Sequence, residues 1–346
     1  MRQTFKLAIV GFGLVGRRHA EAIAVASKAT LAAIVDPDPE AAGAAIEAQC
    51  PYYSELGALL EAKAVDGVIL ATPNKLHVSQ ALVCVDAGLP TLVEKPIATS
   101  SEDAKRLVEA SAAAGVPVMV GHHRRHNPII ATAKAAISSG QIGALRAVHA
   151  QCWLCKPDHY FDEAPWRTKP GAGPIAVNLV HDIDLLRYLC GEIASVRAIS
   201  RPASRGYDNE DVAGALLDFA NGAVGTVTVS DAIVSPWSWE LTAGENPAYP
   251  ATSQSCYLLG GSHGSLSLPD LRIWSNGTAP RDWWSPMNSA FLRAENADPL
   301  VRQIDHFAEV ISGACQPIVS AEEGKKSLEV IEALQHAAKT GGMVKL

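Results

Sequence analysis

The sequence lacks the features that mark several classes of protein. It has no basic excess, since 29 lysines and arginines face 36 acidic residues and the formal net charge is −7. Nothing in that balance favours a nucleic acid or an anionic membrane as a partner. The first apolar run, Leu7–Val10, is too short for the core of a signal peptide or for a membrane span. We therefore expect a cytoplasmic protein.

Cysteine is too irregularly placed for a disulfide framework. The chain has 7 cysteines, an odd number, scattered from Cys50 to Cys315, whereas disulfide-stabilised domains carry theirs in pairs. Cys152 and Cys155 form one C-x-x-C pair. No second pair follows to complete a zinc site, and the surrounding pattern favours a strand.

The most informative motif lies near the beginning of the chain. The apolar run Leu7–Val10 is followed by the glycine motif Gly11–Gly16, by an alanine-rich helical segment, and by a second apolar run, 31–35, that ends at Asp36. A G-x-G-x-x-G motif alone is weak, but a flanking strand, a helix and an acid about 20 residues on make it a dinucleotide-binding signature.

Each glycine has a physical role in holding a dinucleotide. Gly11 makes the tight turn, Gly13 lets the backbone approach the pyrophosphate, and Gly16 lets the helix pack closely on the strand. The helix N-terminus offers N–H groups and partial positive charge to the phosphates. The residues predicted to line the dinucleotide here are Gly11, Phe12, Gly13, Leu14, Val15, Gly16 and Asp36.

Asp36 decides which dinucleotide the motif favours. Its carboxylate would accept hydrogen bonds from the adenosine ribose hydroxyls and would repel a 2′-phosphate. The sequence therefore predicts NAD as the cofactor. Arg17 and Arg18, in the first helical turn, would soften this preference, so NADP stays open.

The order of predicted elements indicates an α/β protein with two domains. Apolar strands alternate with helical segments up to about residue 120, which is typical of a parallel sheet covered on both faces. We predict a Rossmann, doubly wound parallel sheet in residues 1–125. Later strands alternate in polarity, with a hairpin signal at 220–222. They predict a substrate-binding and oligomerisation α/β domain with an open, mostly antiparallel sheet in residues 126–346. A homodimer or homotetramer would cover its free face.

Lys95 lies at the predicted carboxyl end of a parallel strand, within Glu94-Lys95-Pro96. Ligands of doubly wound sheets bind at that edge. A lysine there can meet both the nicotinamide ribose and a substrate hydroxyl, and it can take part in proton transfer. The Lys95–Pro96 bond is a candidate for the cis form.

A second group of polar residues interrupts the apolar segment from Gly171 to Arg187. From about Ile175 the pattern predicts an amphipathic helix, on which Asn178 and His181 share a face. Histidine is the natural proton carrier at neutral pH. Taken alone, the pattern still favours a buried histidine held structurally by the aspartate three residues on.

Together these motifs resemble the glucose–fructose oxidoreductase / inositol dehydrogenase / MocA family over essentially the whole chain. The motifs that carry the resemblance are Gly11–Gly16, Ala71-Thr72-Pro73-Asn74 with His77, Glu94-Lys95-Pro96, Gly121-His122-His123-Arg124-Arg125, Trp166-Arg167 and the segment Gly171–Asp184. The resemblance implies an NAD(P)-dependent dehydrogenase. It would transfer a hydride between the nicotinamide and a carbinol of a sugar, cyclitol or related polyol.

The resemblance also implies roles for individual residues. Lys95 and His181 would act in proton transfer. The further residues expected at the cofactor are Ala71, Thr72, Pro73, Asn74, His77, Glu94, Lys95, Trp166 and Arg167. Those expected at the substrate are His123, Arg124, Trp166, Asn178 and His181. No metal is expected, because the histidines near 122–126 have no carboxylate or thiol at ligand spacing and the family uses none.

The sequence departs from the family where many members carry an aspartate four residues before the histidine. Val177 takes that position here, and the polar residue is Asn178, which cannot act as an acid or base. Inositol thus becomes a less secure substrate. Two alternatives stay open: a dehydrogenase of a cis-dihydrodiol or of a carboxylated ring alcohol paired with Arg124 and Arg125, and a non-enzymatic NAD(P)-binding regulatory subunit.

Overall fold

The computed structural model describes residues 4–346, and the chain divides into two compact units. The first contains the residues up to Asn127 together with Ala297–Leu328, and the second contains Pro128–Asn296 together with Glu329–Leu346. The boundary predicted after residue 125 lies two residues before this division. The first three residues of the predicted domain 1–125 lie outside the described residues.

The helices and strands follow the alternation that the sequence predicts. The strands are β1 Phe5–Val10, β2 Ala29–Val35, β3 Tyr52–Tyr53, β4 Gly67–Leu70, β5 Thr91–Val93, β6 Val118–Val120, β7 Leu145–Trp153, β8 Ile193–Pro202, β9 Glu210–Phe219, β10 Val224–Ser230, β11 Tyr257–Gly261, β12 Ser265–Leu268, β13 Arg272–Ser275, β14 Asn288–Phe291 and β15 Met343–Lys345. The α-helices are α1 Leu14–Val25, α2 Ala41–Glu47, α3 Leu56–Ala62, α4 Asn74–Asp86, α5 Ser101–Ala114, α6 Pro128–Ser138, α7 Asp158–Asp162, α8 Pro174–Val177, α9 Leu179–Cys190, α10 Trp239–Thr242, α11 Pro299–Ile311 and α12 Ala321–Thr340. No helix in residues 4–346 is long and apolar enough to cross a membrane.

The first unit is built on a six-stranded parallel sheet in the order β3-β2-β1-β4-β5-β6. The order reverses between β1 and β4, which is the arrangement of a doubly wound Rossmann sheet. The predicted fold class of this part of the chain is therefore confirmed.

Alternate residues of β1 pack into two separate cores. Ala8 and Val10 belong to a cluster that includes side chains of α4 and α5, whereas Leu7 and Ile9 pack in a cluster with α1 and α11. This two-sided burial explains why the strands of a parallel sheet read as continuous apolar runs. α11 buries Ile304 and Phe307 in the first unit. The second domain predicted over residues 126–346 therefore does not include this helix.

The second unit is built on a nine-stranded sheet in the order β14-β13-β12-β11-β7-β10-β9-β8-β15. Its strand pairs are antiparallel except for β7 with β10, so the predicted mostly antiparallel sheet is confirmed. β9 and β10 form the expected hairpin across 220–222.

The two faces of this sheet differ in burial. Val148, Leu217 and Val227 point into a core that includes most of α9. On the opposite face, one residue from each of the neighbouring strands β9, β10, β7 and β11 forms a row: Leu216, Thr226, His149 and Leu258. Leu216 and Leu258 are 50% and 52% exposed. The sheet therefore carries a partly apolar row on its free face.

Candidate active site

The glycine motif forms the turn between β1 and α1. Gly11 has φ +87°, and a Cβ there would lie 2.8 Å from the backbone of Ala71 and Thr72. A Cβ on Gly16 would overlap the carbonyl oxygen of Gly11. A Cβ on Gly13 would meet nothing within 4 Å. Gly11 and Gly16 are thus required for packing, whereas Gly13 leaves open space.

That open space fits the pyrophosphate of a dinucleotide. Gly13 is the N-cap of α1, no side chain caps the helix, and its first turn has no acidic residue. The first N–H groups of α1 can therefore donate to a phosphate in the dipole's favourable field. The chemistry of this turn matches the group that the sequence predicts for it.

Asp36 lies beside the same turn, at the end of β2. One of its carboxylate oxygens accepts from the backbone N–H of Phe12 at 2.6 Å, and the other accepts from that of Asp38 at 2.8 Å. The two arginines expected to attract a 2′-phosphate have other contacts. Arg17 lies over the Phe12 ring, and Arg18 forms ion pairs with Glu21 and Asp298. The local charge therefore favours the unphosphorylated ribose of NAD.

His77 has a structural role in the loops at this sheet edge. It is fully buried on α4, and its ring nitrogens lie 2.8 Å from the carbonyl oxygen of Thr72 and 2.9 Å from that of Pro96. The imidazole thus joins the loop after β4 to the loop after β5. Ala71 and Thr72 are partly buried, and Pro73 and Asn74 are exposed.

Glu94 is the centre of a buried polar network after β5. One carboxylate oxygen lies 2.8 Å from Nε2 of His19, and the other accepts from the backbone N–H of Lys95 at 3.1 Å. Burial alone would raise the pKa of Glu94, but the hydrogen bond and charge of His19, with the charges of Lys95 and His123, lower it to about 2. Gly121 leaves room for this carboxylate, since a Cβ there would lie 2.8 Å from it.

Lys95 follows this anchored carboxylate, and its peptide bond to Pro96 is cis. The backbone N–H of Lys95 is fixed by Glu94, so the start of the lysine is held at the carboxyl end of β5. The proposed proton-transfer residue is thus positioned by a network that the sequence motifs only partly indicate.

The segment His123–His126 forms a short 3-10 turn after β6. His123 is partly buried and Arg124 is buried. Arg125 lies 3.0 Å from a Glu323 carboxylate oxygen, with its side chain 2% exposed. Arg125 is therefore held in an internal ion pair, and the pairing of Arg124 and Arg125 with a substrate carboxylate stays a prediction.

In residues 4–346, one group of side chains has the spacing of a metal site: His306, Glu309 and Cys315. Nε2 of His306 accepts from the backbone N–H of Ile318 at 3.0 Å. In the neutral ring the proton then resides on Nδ1, the nitrogen that faces Glu309 and Cys315. Burial lowers the pKa of His306, which favours the neutral ring. This arrangement gives Nδ1 no lone pair for a metal.

In the second unit, the predicted helix from Ile175 is split at Asn178. α8 ends at Val177 and α9 begins at Leu179, with Asn178 as the N-cap between them. α9 is buried on nearly all sides rather than amphipathic. Its buried Asp182 accepts from the Tyr257 hydroxyl. His181 lies in the first turn of α9 and is partly buried.

Gly173, directly before α8, makes room for a partly buried acid. A Cβ on Gly173 would overlap the carboxylate of Glu210, which accepts from the backbone N–H of Ile175 at 3.1 Å. Burial raises the pKa of Glu210. Ala172, between Gly171 and Gly173, is accommodated in a buried position.

Asn178 is paired with a lysine that the sequence motifs do not indicate. Nζ of Lys156 donates to Oδ1 of Asn178 at 2.8 Å and to a carboxylate oxygen of Asp231 at 3.2 Å. Burial lowers the pKa of Lys156, and Asp231 opposes that shift. Lys156 follows β7 and Asp231 follows β10, so the only parallel strand pair of this sheet, in the described chain, brings them to one edge.

Trp166 and Arg167 lie in a 3-10 turn, Pro165–Thr168. Trp166 is 56% exposed, and its contact with a ligand stays a prediction. Arg167 donates to the Tyr160 carbonyl oxygen, pairs with Glu163 at 3.1 Å, and lies over the Tyr160 ring. The arginine is thus fixed to the α7 segment.

Two residues central to these networks escape the sequence motifs: His19 and Lys156. His19 is on the buried face of α1, three residues after Gly16 and four before Ile23. That helical spacing would have identified it as an inward-facing polar residue. Lys156 has no such signal, because only the pairing of β7 with β10 brings it to Asp231.

Comparison with known proteins agrees with this geometry. Residues 5–122 match a family described as the GFO/IDH/MocA oxidoreductase family with an NAD-binding Rossmann fold, and residues 130–266 match the GFO/IDH/MocA C-terminal domain. The chain is 34% identical to the inositol 2-dehydrogenase 2 of Saccharopolyspora erythraea over 233 aligned residues. The alignment covers 65% of this chain and 66% of that protein. It is 30% identical over 239 residues to the rhizopine catabolism protein MocA of Rhizobium meliloti, which covers 65% of this chain and 71% of that protein.

A solved structure shows the same fold over the full length. The WlbA dehydrogenase of Bordetella pertussis, in complex with NADH and UDP-GlcNAcA, superposes with a TM-score of 0.79 at 28% identity, which covers 99% of both chains. Both units of the present chain therefore have counterparts in one protein.

Proposed function

The chain belongs to the GFO/IDH/MocA family of oxidoreductases with an NAD-binding Rossmann fold, and from this we propose that it is a dehydrogenase of a sugar, cyclitol or related polyol. The reaction would transfer a hydride between nicotinamide and a carbinol carbon. One observation supports it above the others: the uncapped glycine turn before α1, Asp36 and Lys95 all lie at the carboxyl ends of strands of one parallel sheet.

The chain's own residues would divide the work as follows. The N-terminus of α1 binds the pyrophosphate and Asp36 binds the adenosine ribose. NAD, once bound, supplies the hydride acceptor. Lys95, held through its backbone by Glu94, would take the hydroxyl proton or orient the hydroxyl, and His181 would share this proton transfer. Orientation of the substrate supplies much of the rate.

A screen of substrates tests this proposal. Wild-type protein is incubated with NAD⁺ or NADP⁺ and a panel of inositols, aldoses, uronates and dihydrodiols, and NADH or NADPH fluorescence is followed. We expect turnover with at least one polyol and a preference for NAD⁺. Absence of turnover across the panel with both cofactors would contradict the proposal.

The role of Lys95 has its own prediction. Lys95→Ala should lower kcat by about a hundredfold or more, the usual scale of a lost general acid–base. The Kd for NADH, measured by its fluorescence, should stay nearly unchanged. Lys75→Ala, a change at an exposed lysine of α4, is the matched control. Full turnover in Lys95→Ala would show that the assigned role is wrong.

We also infer that the protein forms a homo-oligomer through the free face of the nine-stranded sheet. The support is the row of residues from Leu216 to Leu258, whose two leucines are half exposed. Side chains of this kind on neighbouring strands make an apolar surface that a second copy can cover.

A further inference from the structure

The pairing of Lys156 with Asn178 fixes the polarity that Asn178 can present to a ligand. An ammonium group has three donors and no acceptor. The Asn178 atom 2.8 Å from Nζ of Lys156 must therefore be the amide oxygen. The amide nitrogen is then on the other side of the group, with two N–H donors.

Those N–H donors are available to a ligand. No described residue accepts a hydrogen bond from Nδ2 of Asn178, and the residue is only partly buried. An asparagine at a helix N-cap usually turns its oxygen to the helix N–H groups. Here Asn178 is the N-cap of α9 and makes no such bond, because its oxygen faces Lys156.

Lys156 is itself held firmly in this orientation. Its side chain is 11% exposed, Asp231 accepts its second hydrogen bond, and the Tyr160 ring lies 5.0 Å from the ammonium. Arg205 is bound to the other Asp231 oxygen at 3.4 Å and to Asp158. Asp231 thus has two cations beside it, so the cluster does not add a net negative charge next to Asn178.

We propose that Lys156 is a positioning residue that makes Asn178 a hydrogen-bond donor, and that the substrate group bound there is an acceptor, namely a carboxylate. A carboxylate side chain at this place would recognise substrate hydroxyl groups by accepting from them. An amide held with its N–H groups outward can only donate, and a carboxylate is a stronger acceptor than a hydroxyl because its hydrogen bonds are charge-assisted. The substrate class is therefore sugar acids or carboxylated ring alcohols.

This inference rests on the proposed function, since it names the substrate class for the same site. His181, assigned to proton transfer, is one helical turn from Asn178, and its backbone N–H donates to the Asn178 carbonyl oxygen at 3.2 Å. A substrate carboxylate bound by Asn178 would thus lie close to the N-terminal turn of α9.

The experiment compares each acid with its neutral partner. kcat/KM is measured with NAD⁺ for glucuronate against glucose, galacturonate against galactose, and quinate against a neutral cyclitol. Wild-type protein should prefer the acid by about tenfold or more, the scale of a charge-assisted hydrogen bond. Asn178→Asp should reverse or abolish the preference, chiefly through the KM of the acid.

Lys156 variants separate positioning from folding. Lys156→Met, which leaves the amide free to rotate, should lower the preference for the acid by several-fold, because the KM of the acid should rise more than the KM of its neutral partner. Lys156→Arg should restore much of the preference, because it still donates to the amide oxygen. The control is Lys169→Met, which breaks a well-exposed ion pair with Asp208 and should leave the preference unchanged.

The results distinguish a failure of this inference from a failure of the dehydrogenase proposal. Equal kcat/KM for acids and neutral partners in the wild type, or equal losses for both in every variant, would overturn this inference but leave the dehydrogenase proposal standing. If no compound is turned over, the dehydrogenase proposal fails. Binding of glucuronate to wild type and to Asn178→Asp by saturation-transfer NMR then still tests the inference, and equal binding would overturn it.

Discussion

At the scale of single residues, charge is controlled in opposite ways at Glu94 and His126, two positions of the first unit. Glu94 keeps its charge because His19 lies against it and lowers its pKa to about 2. For His126, in contrast, the uncharged form is favoured. Burial is the main cause, and electrostatic repulsion by the neighbouring groups His306, His123, Arg302 and Arg125 adds to it, so the pKa of His126 falls to about 3. The two groups should therefore affect stability in different pH ranges.

We predict two separate losses of stability on acidification. For His126, the unfolded state binds a proton below about 6.5 and the folded state only near 3, so stability falls over that window as the pH decreases. For Glu94, the loss is confined to the range from about 4.5 down to about 2. Each contributes on the order of a few kcal/mol at most.

Urea denaturation from pH 8 to pH 3 measures these windows. His126→Leu should make the urea midpoint less dependent on pH between pH 6.5 and 4.5. Glu94→Gln should leave the slope of the midpoint against pH unchanged in that range. His159→Leu removes an exposed histidine and is the control. An unchanged slope in His126→Leu would contradict the assignment.

The sequence predicts such residues only where a motif identifies them. Glu94 and Lys95 were expected because they follow a strand whose position in a parallel sheet is clear. The partner of Glu94, His19, belongs to no motif, and its contact joins residues 75 positions apart. Such a pairing depends on how α1 packs on the sheet, which local pattern does not specify.

At the scale of elements, helix boundaries follow from local chemistry more reliably than helix continuity does. α5 begins after Ser100, whose side chain accepts from the backbone N–H of Asp103, and ends before Gly115, which has φ +66°; both are local features of the sequence. The break between α8 and α9 was not predicted. It occurs at Asn178, whose side chain is bound to Lys156 from a distant strand end, so a tertiary contact accompanies it.

The glycine turn before α1 allows a paired prediction. Gly13→Ala should leave the thermal stability nearly unchanged, because its Cβ meets nothing within 4 Å, yet it should weaken NADH binding by about tenfold or more through the lost approach of the pyrophosphate. Gly16→Ala should lower stability, since its Cβ overlaps the Gly11 carbonyl oxygen.

Differential scanning fluorimetry and NADH fluorescence titration give the two readouts. Gly43→Ala, where a Cβ also meets nothing within 4 Å on α2, is the control for both. Unchanged NADH affinity in Gly13→Ala would show that the dinucleotide does not pass over this turn.

At the scale of the whole molecule, the sequence predicts the two sheets but not which helices serve each. α11 follows the strands of the second sheet in the chain, and proximity in sequence assigned it there. The buried face of α11 instead packs with Leu7 and Ile9, because an apolar helix face can pack on any sheet face that other helices leave uncovered. Chain order therefore gives the fold class but not the division into units.

The free face of the second sheet leads to a prediction about assembly. Leu216 and Leu258 are half exposed, and they flank Thr226 and His149 in one row across four strands. Charged residues at their positions would cost nothing in a monomer but would have to be buried in an interface. Leu216→Asp combined with Leu258→Lys should therefore shift an oligomer toward monomer, measured by light scattering after size-exclusion chromatography. Val234→Asp, at an exposed residue outside the strands, should have no such effect. An unchanged mass in the double variant, with an unchanged melting temperature, would mean that another surface holds the copies together.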